Sequence, residues 1–268
     1  YARKSGFNKF VIALSGGLDS SVVLSLVKLS LSKEQSVEAI FMPTSFSSTL
    51  SRELSEKLCH NLGVKLYHFP ISFLHKTIGS NFSHIFNAPI NGLADENLQS
   101  RLRGLLLYTR SNQTSSLVIN TSNKSELSVG YSTLYGDSVG AISLLGDLYK
   151  TEVFQIAKYI NKKYHNLLPE EIISRPPSAE LRENQKDEDS LPPYSLLDPI
   201  LDEILAKRSS LKSIVAKGYE SKMVEKIFSL YKNSEFKRQQ FCPIIKIKPR
   251  SFGFGYRVPI SKNNNFYF

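Results

Sequence analysis

The sequence predicts an α/β fold in which helices flank a parallel sheet, followed by a helical extension at the C-terminal end. Three observations support this prediction. Apolar runs of strand length alternate with helical patterns between residues 10 and 164, the first run (residues 10–14) has no polar residue to mark a solvent face, and helical patterns return after residue 195. Strands covered on both faces show such continuous apolar runs, which are typical of parallel sheets.

The elements follow this alternation in order. Strands are predicted at residues 10–14, 37–43, 64–71, 117–121 and 141–145. Helices are predicted after residue 17 and at residues 47–62, 97–112, 151–164, 196–208, 210–217 and 221–240. Gly63 directly follows the second of these helices, where a glycine commonly ends a helix. Residues 170–194 are rich in Pro, Glu, Asp and Ser and are predicted to form a long loop, which is either a functional lid or disordered.

Length and composition indicate a globular protein. The 268 residues suffice for a core over residues 1–194 with an extension over residues 195–268 of the same unit. No run of 18 apolar residues predicts a membrane span, and the first residues lack the apolar region of a signal peptide. Because the chain does not begin with Met, we expect it to be a segment of a longer chain or a trimmed form.

Cys59 and Cys242 have neither disulfide-framework nor metal-site spacing, which favours a reducing, cytoplasmic setting.

The net charge of +10 is compatible with a nucleic-acid partner, but also with anionic nucleotide substrates. The basic residues are scattered, apart from a denser region around Lys237 and residues 246–250. Charge alone therefore leaves the choice of partner open. The aromatic residues Phe252, Phe254 and Tyr256 of this tail are candidates for packing at an interface.

The loop at residues 15–21, Ser-Gly-Gly-Leu-Asp-Ser-Ser, directly follows the first predicted strand. Two glycines permit a tight turn that brings backbone N–H groups near an anion, and the helix N-terminus adds partial positive charge. Asp19 would repel a phosphate unless a cation lay between them, which makes Asp19 a candidate Mg²⁺ ligand. The alternative is a plain glycine turn with Asp19 or Ser20 as a helix N-cap. Neither the Walker nor the dinucleotide-binding glycine spacing is present.

The string S-G-G-x-D-S resembles the signature of the PP-loop ATP pyrophosphatases, which split ATP into AMP and pyrophosphate and adenylate an oxygen of a second substrate. Further strings are similar to NAD⁺ synthetase: TSNKSE, VGYSTLYGD, GDLYKT, RPPSAELR and QKDEDSLPPY, at residues 121–126, 129–137, 146–151, 175–182 and 185–194. Residues 235–238 and 249–253 most resemble the glutamine-dependent form, in which the synthetase unit follows a glutaminase domain. The resemblance implies a Rossmann-like sheet of the adenine nucleotide alpha-hydrolase type.

The resemblance implies a ligase that forms a C–N amide bond, converting deamido-NAD⁺ to NAD⁺ through an acyl-adenylate. ATP is the co-substrate, Mg²⁺ the cofactor, and ammonia the nitrogen donor, either free or supplied by a glutaminase domain on the same or a partner chain. Neither cysteine lies in the context of a glutaminase nucleophile, so we expect the synthetase part alone or an ammonia-dependent form. A homodimer is expected, with neither nucleic acid nor membrane as partner.

The resemblance also implies site residues. ATP would contact Ala13, Leu14, Ser15, Gly16, Gly17, Leu18, Asp19, Ser20, Met42, Thr121 and Lys150. Deamido-NAD⁺ would contact Asn97, Glu126 and Lys237, and Mg²⁺ would be held by Asp19 and Glu126. Catalysis would depend on Asp19, on Lys150 to offset charge at the α-phosphate, and on Ser178 in a mobile loop that closes over the adenylate.

Each of these residues also has a simpler structural interpretation. Glu126 is placed to form a capping box with Asn123. Lys150 at a helix start and Lys237 in a basic stretch are of a type that usually faces solvent. The acidic residues 187–189 are expected to form a solvated face rather than a metal cluster.

Two other classes of function remain open at this stage. A tRNA-modifying PP-loop enzyme would suit the basic charge, but would need an extended phosphate-binding surface and leaves residues 178–194 without a role. A nucleotide-binding regulatory module without turnover would retain the loop alone.

Overall fold

The computed structural model describes residues 1–250, 252, 253 and 257–260. Within these residues a parallel sheet of five strands has the order β3-β2-β1-β4-β5. The strands are β1 (Lys9–Ala13), β2 (Ser36–Phe41), β3 (Lys65–His68), β4 (Leu117–Asn120) and β5 (Ile142–Ser143). All five predicted strands are therefore confirmed, although β3 and β5 are shorter than predicted.

The central strand β1 is covered on both faces, as its apolar run predicts. Phe10 and Ile12 belong to one hydrophobic core, while Val11 between them belongs to another on the opposite face. This alternation follows from the two-residue period of a strand. The sheet is consequently a fixed platform for the loops at its edge.

Helices cover the sheet and continue beyond it. They are α1 (Leu18–Ser30), α2 (Thr49–Leu62), α3 (Ser72–Phe86), α4 (Gly92–Thr114), α5 (Lys124–Val129), α6 (Lys150–Lys163), α7 (Glu170–Ser174), α8 (Tyr194–Leu205), α9 (Leu211–Ala216), α10 (Ser221–Asn233) and α11 (Glu235–Arg238). Among the described residues, no helix combines the length and apolar character needed to cross a membrane.

Three helical predictions need correction. Helix α3 was not predicted: none of its residues is fully buried, and a partly buried Leu74 packs against the core that contains Val11. The predicted helix at residues 221–240 is interrupted at Ser234, between α10 and α11. The predicted loop at residues 170–194 contains α7 and a single 3₁₀ turn at Asp187–Asp189.

The C-terminal helices build a third core. Leu197, Ile200 and Leu201 of α8 pack with residues of α9 and α10, and Leu127 and Val129 of α5 join them. Phe252 is also buried in this core, whereas Phe254 and Tyr256 lie outside the described residues.

The chain then returns to the sheet. Ile244 forms a parallel bridge with Ser143 of β5. The carboxylate of Asp147 accepts the backbone N–H groups of Ile247 and Lys248, at 2.9 and 2.8 Å, and that of Phe252, at 3.2 Å. The segment after α11 is thus fixed beside β5.

The strand order creates a crevice beside β1. The chain leaves β1 toward β2 on one side, while β4 lies on the other, so the loops after β1 and β4 diverge. Open parallel sheets bind ligands at such a switch point, beyond the carboxyl ends of the strands. The loops at residues 14–17 and 121–123 both occupy this position.

Candidate functional site

A cavity of about 240 Å³ lies at this crevice. Its walls are the loop after β1, the ends of β2 and β4, one face of α4, and residues 175–181 of the Pro-rich segment. Of the residues predicted to contact ATP, all except Gly16 line it: Ala13, Leu14, Ser15, Gly17, Leu18, Asp19, Ser20, Met42, Thr121 and Lys150. The sheet therefore brings together side chains from four separate parts of the chain.

The loop between β1 and α1 is held in shape by its own hydroxyl groups. The Gly17 N–H donates to Ser15 Oγ at 3.2 Å, and Ser15 Oγ lies 3.1 Å from Ser20 Oγ. Gly16 faces α2 instead of the cavity: its φ is +75°, and a Cβ there would lie 2.3 Å from the backbone oxygen of Ser51. Only glycine fits this left-handed, closely packed position.

Asp19 and Ser20 are not N-caps. The residue at the N-cap position of α1 is Gly17, and Asp19 is the second residue of the helix. The Asp19 carboxylate instead accepts a hydrogen bond from Asn123 Nδ2 at 3.0 Å and is paired with Lys150 Nζ. The alternative of a plain capped turn is therefore wrong, because the carboxylate points across the crevice.

Glu126 forms the capping box predicted for it, and its side chain also lines the cavity. Its backbone N–H donates to Asn123 Oδ1 at 3.0 Å, and its Oε2 accepts the Asn123 N–H at 3.4 Å, which completes a capping box at the start of α5. Its other oxygen, Oε1, lies 3.4 Å from Lys150 Nζ. The capping box therefore orients the carboxylate toward the cavity.

Lys150 lies between these two carboxylates and does not face solvent: it is only 3% exposed. Burial alone lowers the pKa of Lys150, but Asp19, Glu126 and Asp187 outweigh it and raise the pKa above its usual value. Burial, followed by repulsion from Asp19, raises the pKa of Glu126 to about 8. The cluster is consequently a fixed cation among closely spaced acids.

The prediction of a solvated acidic face at residues 187–189 is wrong for Asp187. Its side chain is buried, accepts the Tyr194 hydroxyl at 2.8 Å and the Tyr131 hydroxyl at 3.3 Å, and lines the cavity. Burial raises the pKa of Asp187, although Lys150 opposes this shift.

Asn97 and Lys237, predicted with Glu126 to contact deamido-NAD⁺, do not line the cavity. Asn97 Oδ1 accepts the Thr133 hydroxyl at 2.7 Å, and Lys237 Nζ donates to the backbone oxygens of Gly130 and Ser132, both at 2.7 Å. Both side chains thus hold the loop that follows α5. Lys237 is half-buried, which corrects the expectation that it faces solvent, and burial lowers its pKa.

Residues 175–181 cross one side of the cavity, and Ser178 lies within them. The Ser178 hydroxyl donates to the backbone oxygen of Gln185 at 2.6 Å and accepts the Glu180 N–H at 3.1 Å. The Glu180 carboxylate in turn accepts the Ser48 N–H at 3.2 Å and the Ser51 hydroxyl at 2.6 Å. The segment is therefore attached to the start of α2.

Besides Asp187, four charged residues of the cavity were missed by sequence reasoning: Arg103, Asp137, Arg175 and Glu180. Arg103 Nε donates to the backbone oxygen of Met42 at 3.0 Å, and burial lowers the pKa of Arg103 to about 10. Arg175 and Glu180 lie within three residues of Ser178, in the RPPSAELR string at residues 175–182. Their closeness in sequence to a predicted catalytic residue could have identified them.

Asp19 and Glu126 offer the oxygen ligands that Mg²⁺ prefers, and both point into the cavity. Within the described residues, no group of three His, Cys, Asp or Glu side chains is arranged to hold a metal ion by itself. A magnesium ion held by one or two carboxylates completes its coordination with phosphate oxygens and water. The donor set fits an ion that arrives with a phosphate ligand.

The comparisons with known proteins point to one family. The NAD synthase family model matches residues 1–241. A glutamine-dependent NAD(+) synthetase of Synechocystis is 42% identical over 262 residues, which are 98% of this chain and 47% of that protein. The chain thus spans about half the length of the curated relatives it matches.

Solved structures agree in fold. A glutamine-dependent NAD⁺ synthetase from Acinetobacter baumannii in complex with ADP has a TM-score of 0.63 and 36% identity, covering 97% of this chain and 47% of that one. An NMN synthetase from Francisella tularensis has a TM-score of 0.74 and 28% identity, covering 92% and 91%. Both similarities cover more than nine-tenths of this chain.

Proposed function

Because this chain belongs to the NAD synthase family, we propose that it uses ATP to convert the nicotinate carboxylate of deamido-NAD⁺ into the amide of NAD⁺. One observation carries the proposal. A single cavity brings the glycine loop after β1 together with Lys150 and the carboxylates of Asp19 and Glu126. This combination suits an enzyme that separates a diphosphate from ATP.

The chemistry has two steps. A carboxylate is a poor acyl donor, so one of its oxygens attacks the α-phosphorus of ATP, the bond from that phosphorus to the bridging oxygen breaks, and pyrophosphate leaves. Ammonia then attacks the acyl carbon, loses a proton to solvent, and displaces AMP. No protein nucleophile is required, so the protein's contribution is positioning and charge neutralisation.

The residues of this chain have separate tasks in that scheme. The N–H groups at the start of α1 and the hydroxyls of Ser15 and Ser20 would bind the departing pyrophosphate. Lys150 would neutralise charge at the α-phosphate, because its two carboxylate partners keep it protonated and fixed. Met42 and Thr121 would contact the nucleoside from β2 and β4.

Asp19 and Glu126 would hold Mg²⁺ beside the phosphates. When bound, the ion supplies positive charge to the phosphate oxygens and helps pyrophosphate to leave. We also propose that residues 175–181, with Ser178, exclude water from the adenylate, because these residues already cover one side of the cavity. Asn97 and Lys237 would act on deamido-NAD⁺ through the loop of residues 130–133 that they hold.

We propose that the chain forms a homodimer through α3. None of the 15 residues of α3 is buried in the single chain, although the helix is rich in apolar residues. Phe73, Ile85 and Phe86 are 79%, 68% and 62% exposed, and Leu93 at the start of α4 is 72% exposed. Exposed apolar surface of this extent is typical of an interface. Sedimentation should give twice the mass of one chain, and Phe73→Ser with Ile85→Ser should give the mass of one.

Residues 1–194 and 195–268 would act as one synthetase unit, since α5 contributes Leu127 and Val129 to the C-terminal core. The setting would be the reducing cytoplasm, as Cys59 and Cys242 are both free thiols.

A coupled assay of NAD⁺ formation tests the proposal. We expect this chain to form NAD⁺ and release pyrophosphate with deamido-NAD⁺, ATP, Mg²⁺ and ammonium, and to form none when glutamine replaces ammonium. A preference for the deamidated mononucleotide would change the substrate, given the likeness to an NMN synthetase. ATP binding without pyrophosphate release from any pyridine nucleotide would overturn the proposal in favour of a module without turnover.

A further inference from the structure

The cavity has an unusual distribution of charge for a site that would bind a triphosphate. Five carboxylates of the described residues line it, on Asp19, Glu126, Asp137, Glu180 and Asp187, against the three cations Arg103, Lys150 and Arg175. Even with a magnesium ion, a bound triphosphate adds further negative charge that cations must balance. The position of each cation therefore decides where the phosphates can lie.

Lys150 and Arg103 each have protein partners that fix their place in the cavity. Lys150 is paired with both Asp19 and Glu126. Arg103 Nε donates to the backbone oxygen of Met42, at the end of β2. Lys150 therefore already offsets two carboxylates, and Arg103 is held by the strand proposed to contact the nucleoside.

Arg175 lies directly against the glycine loop. Its Nη2 is 3.9 Å from where a Cβ on Gly17 would be, and its Nη1 donates to the Ser51 hydroxyl at 2.9 Å. The nearest carboxylate oxygen, Glu180 Oε1, is 3.8 Å from Nη1, beyond hydrogen-bond distance. One edge of the guanidinium is thus anchored by a neutral hydroxyl, while Nη2 lies beside the loop that begins the anion site.

We propose that Arg175 binds the β- and γ-phosphates of ATP, and hence the pyrophosphate that leaves. This assignment deepens the proposed function and rests on it for the identity of the reaction. The planar fork of an arginine matches two phosphate oxygens, and a guanidinium is weakly hydrated, so it loses little hydration when it binds them. The segment that covers the cavity would then also supply a cation to the leaving group.

Glu180 positions Arg175 for this contact. Both side chains meet at Ser51: Glu180 Oε1 accepts the Ser51 hydroxyl at 2.6 Å, and Arg175 donates to the same Oγ. Glu180 also accepts the N–H and the hydroxyl of Ser48, at 3.2 and 2.9 Å. Residues 175–180 are therefore attached to α2 at both ends, with the phosphate-facing guanidinium between α2 and the loop.

Calorimetric titration of the full chain with ATP, pyrophosphate and AMP tests the assignment. We expect Arg175→Gln to weaken ATP and pyrophosphate about 10- to 100-fold, because a charged, two-point contact is lost, and to change AMP less than twofold. Arg175→Lys should lie between, since it keeps the charge and loses the fork. Arg182→Gln is the matched control: this guanidinium is in the same segment but pairs with Glu96 and Asp189 outside the cavity, so ATP and pyrophosphate affinity should not change.

The possible outcomes separate this assignment from the proposed function. Wild-type affinity for pyrophosphate in Arg175→Gln, or an equal loss for AMP, would overturn the assignment. If Arg175→Gln does not fold, Arg175→Lys is used instead. Its affinity for pyrophosphate should then fall by more than its affinity for AMP, and equal changes would overturn the assignment. A wild-type chain that binds ATP and pyrophosphate but forms no NAD⁺ would overturn only the proposed function, and one that binds neither would overturn both.

Discussion

Replacing Gly16 by alanine should destabilise the protein more than the same replacement at another glycine of positive φ, and should also distort the glycine loop. Gly16 has a φ of +75°, which costs an L-residue about 1–2 kcal/mol. In addition, the new Cβ would lie 2.3 Å from the backbone oxygen of Ser51 and 3.0 Å from Ser55 Oγ. Because the first of these is a backbone atom of α2, relief requires the loop or the helix to move.

Gly63 provides the control for this change. Its φ is +58°, so alanine there has the same conformational cost, but a Cβ would meet nothing within 4 Å among the described residues. Effects of the added methyl group on the unfolded chain are equal at the two sites and cancel in the difference. The excess loss at Gly16 is therefore the cost of the overpacked contact, about 1–3 kcal/mol.

The measurement is the free energy of unfolding of both variants in urea, with the affinity for ATP measured alongside. Gly63→Ala should lose about 1–2 kcal/mol and bind ATP normally. Gly16→Ala should lose about 2–5 kcal/mol and bind ATP at least about tenfold more weakly, since the displaced loop no longer aligns its N–H groups. Equal losses in the two variants, or unchanged ATP binding by Gly16→Ala, would refute the reasoning.

Three further predictions concern other parts of the chain. Asp19→Asn should leave the circular dichroism spectrum unchanged and abolish release of pyrophosphate, because the carboxylate proposed to hold Mg²⁺ is lost; an active variant would remove that assignment. Hydrogen bonds from Lys207 and Lys217 lower the pKa of Glu203 to about 2, so their stabilisation is complete above about pH 4.5 and is lost as the pH falls toward 2. Glu203→Gln should consequently lower Tm by about 2–4 °C at pH 7 and by less at pH 3, and an equal decrease at both pH values would contradict this. Burial raises the pKa of Cys59 to about 12, so iodoacetamide at pH 8 should modify it only after unfolding, and rapid labelling of the folded chain would show that the thiol is accessible.

The sheet and the glycine loop were predictable because their determinants are local. A strand buried on both faces shows its apolar run within five residues, and the glycines and hydroxyls follow it directly. The pairing of Asp19 with Lys150, which are 131 residues apart, has no such local signature. Asp19 was identified from the charge of its loop and Lys150 through resemblance, and the ion pair itself emerged only from the fold.

The errors in prediction have a common physical origin. Helix α3 was missed because most of its apolar residues are exposed, so no continuous stripe of core-facing positions marks it. Asp187 and Lys237 were assigned to solvent by residue type, but Asp187 is buried and Lys237 half-buried. The fold supplies partners for both: two tyrosine hydroxyls for Asp187 and two backbone oxygens for Lys237. Charge in a sequence predicts exposure only when no such partner is near.

The return of the chain to β5 determines how the molecule should come apart. The C-terminal helices are joined to the sheet through α5 at their start and through Asp147 and the Ser143–Ile244 bridge at their end. Because these helices are joined to the sheet at both ends, they cannot move away from it as a rigid body. Their unfolding also exposes the edge of β5. Heating should therefore give a single cooperative transition, in which the nucleotide cavity and the helical extension are lost together.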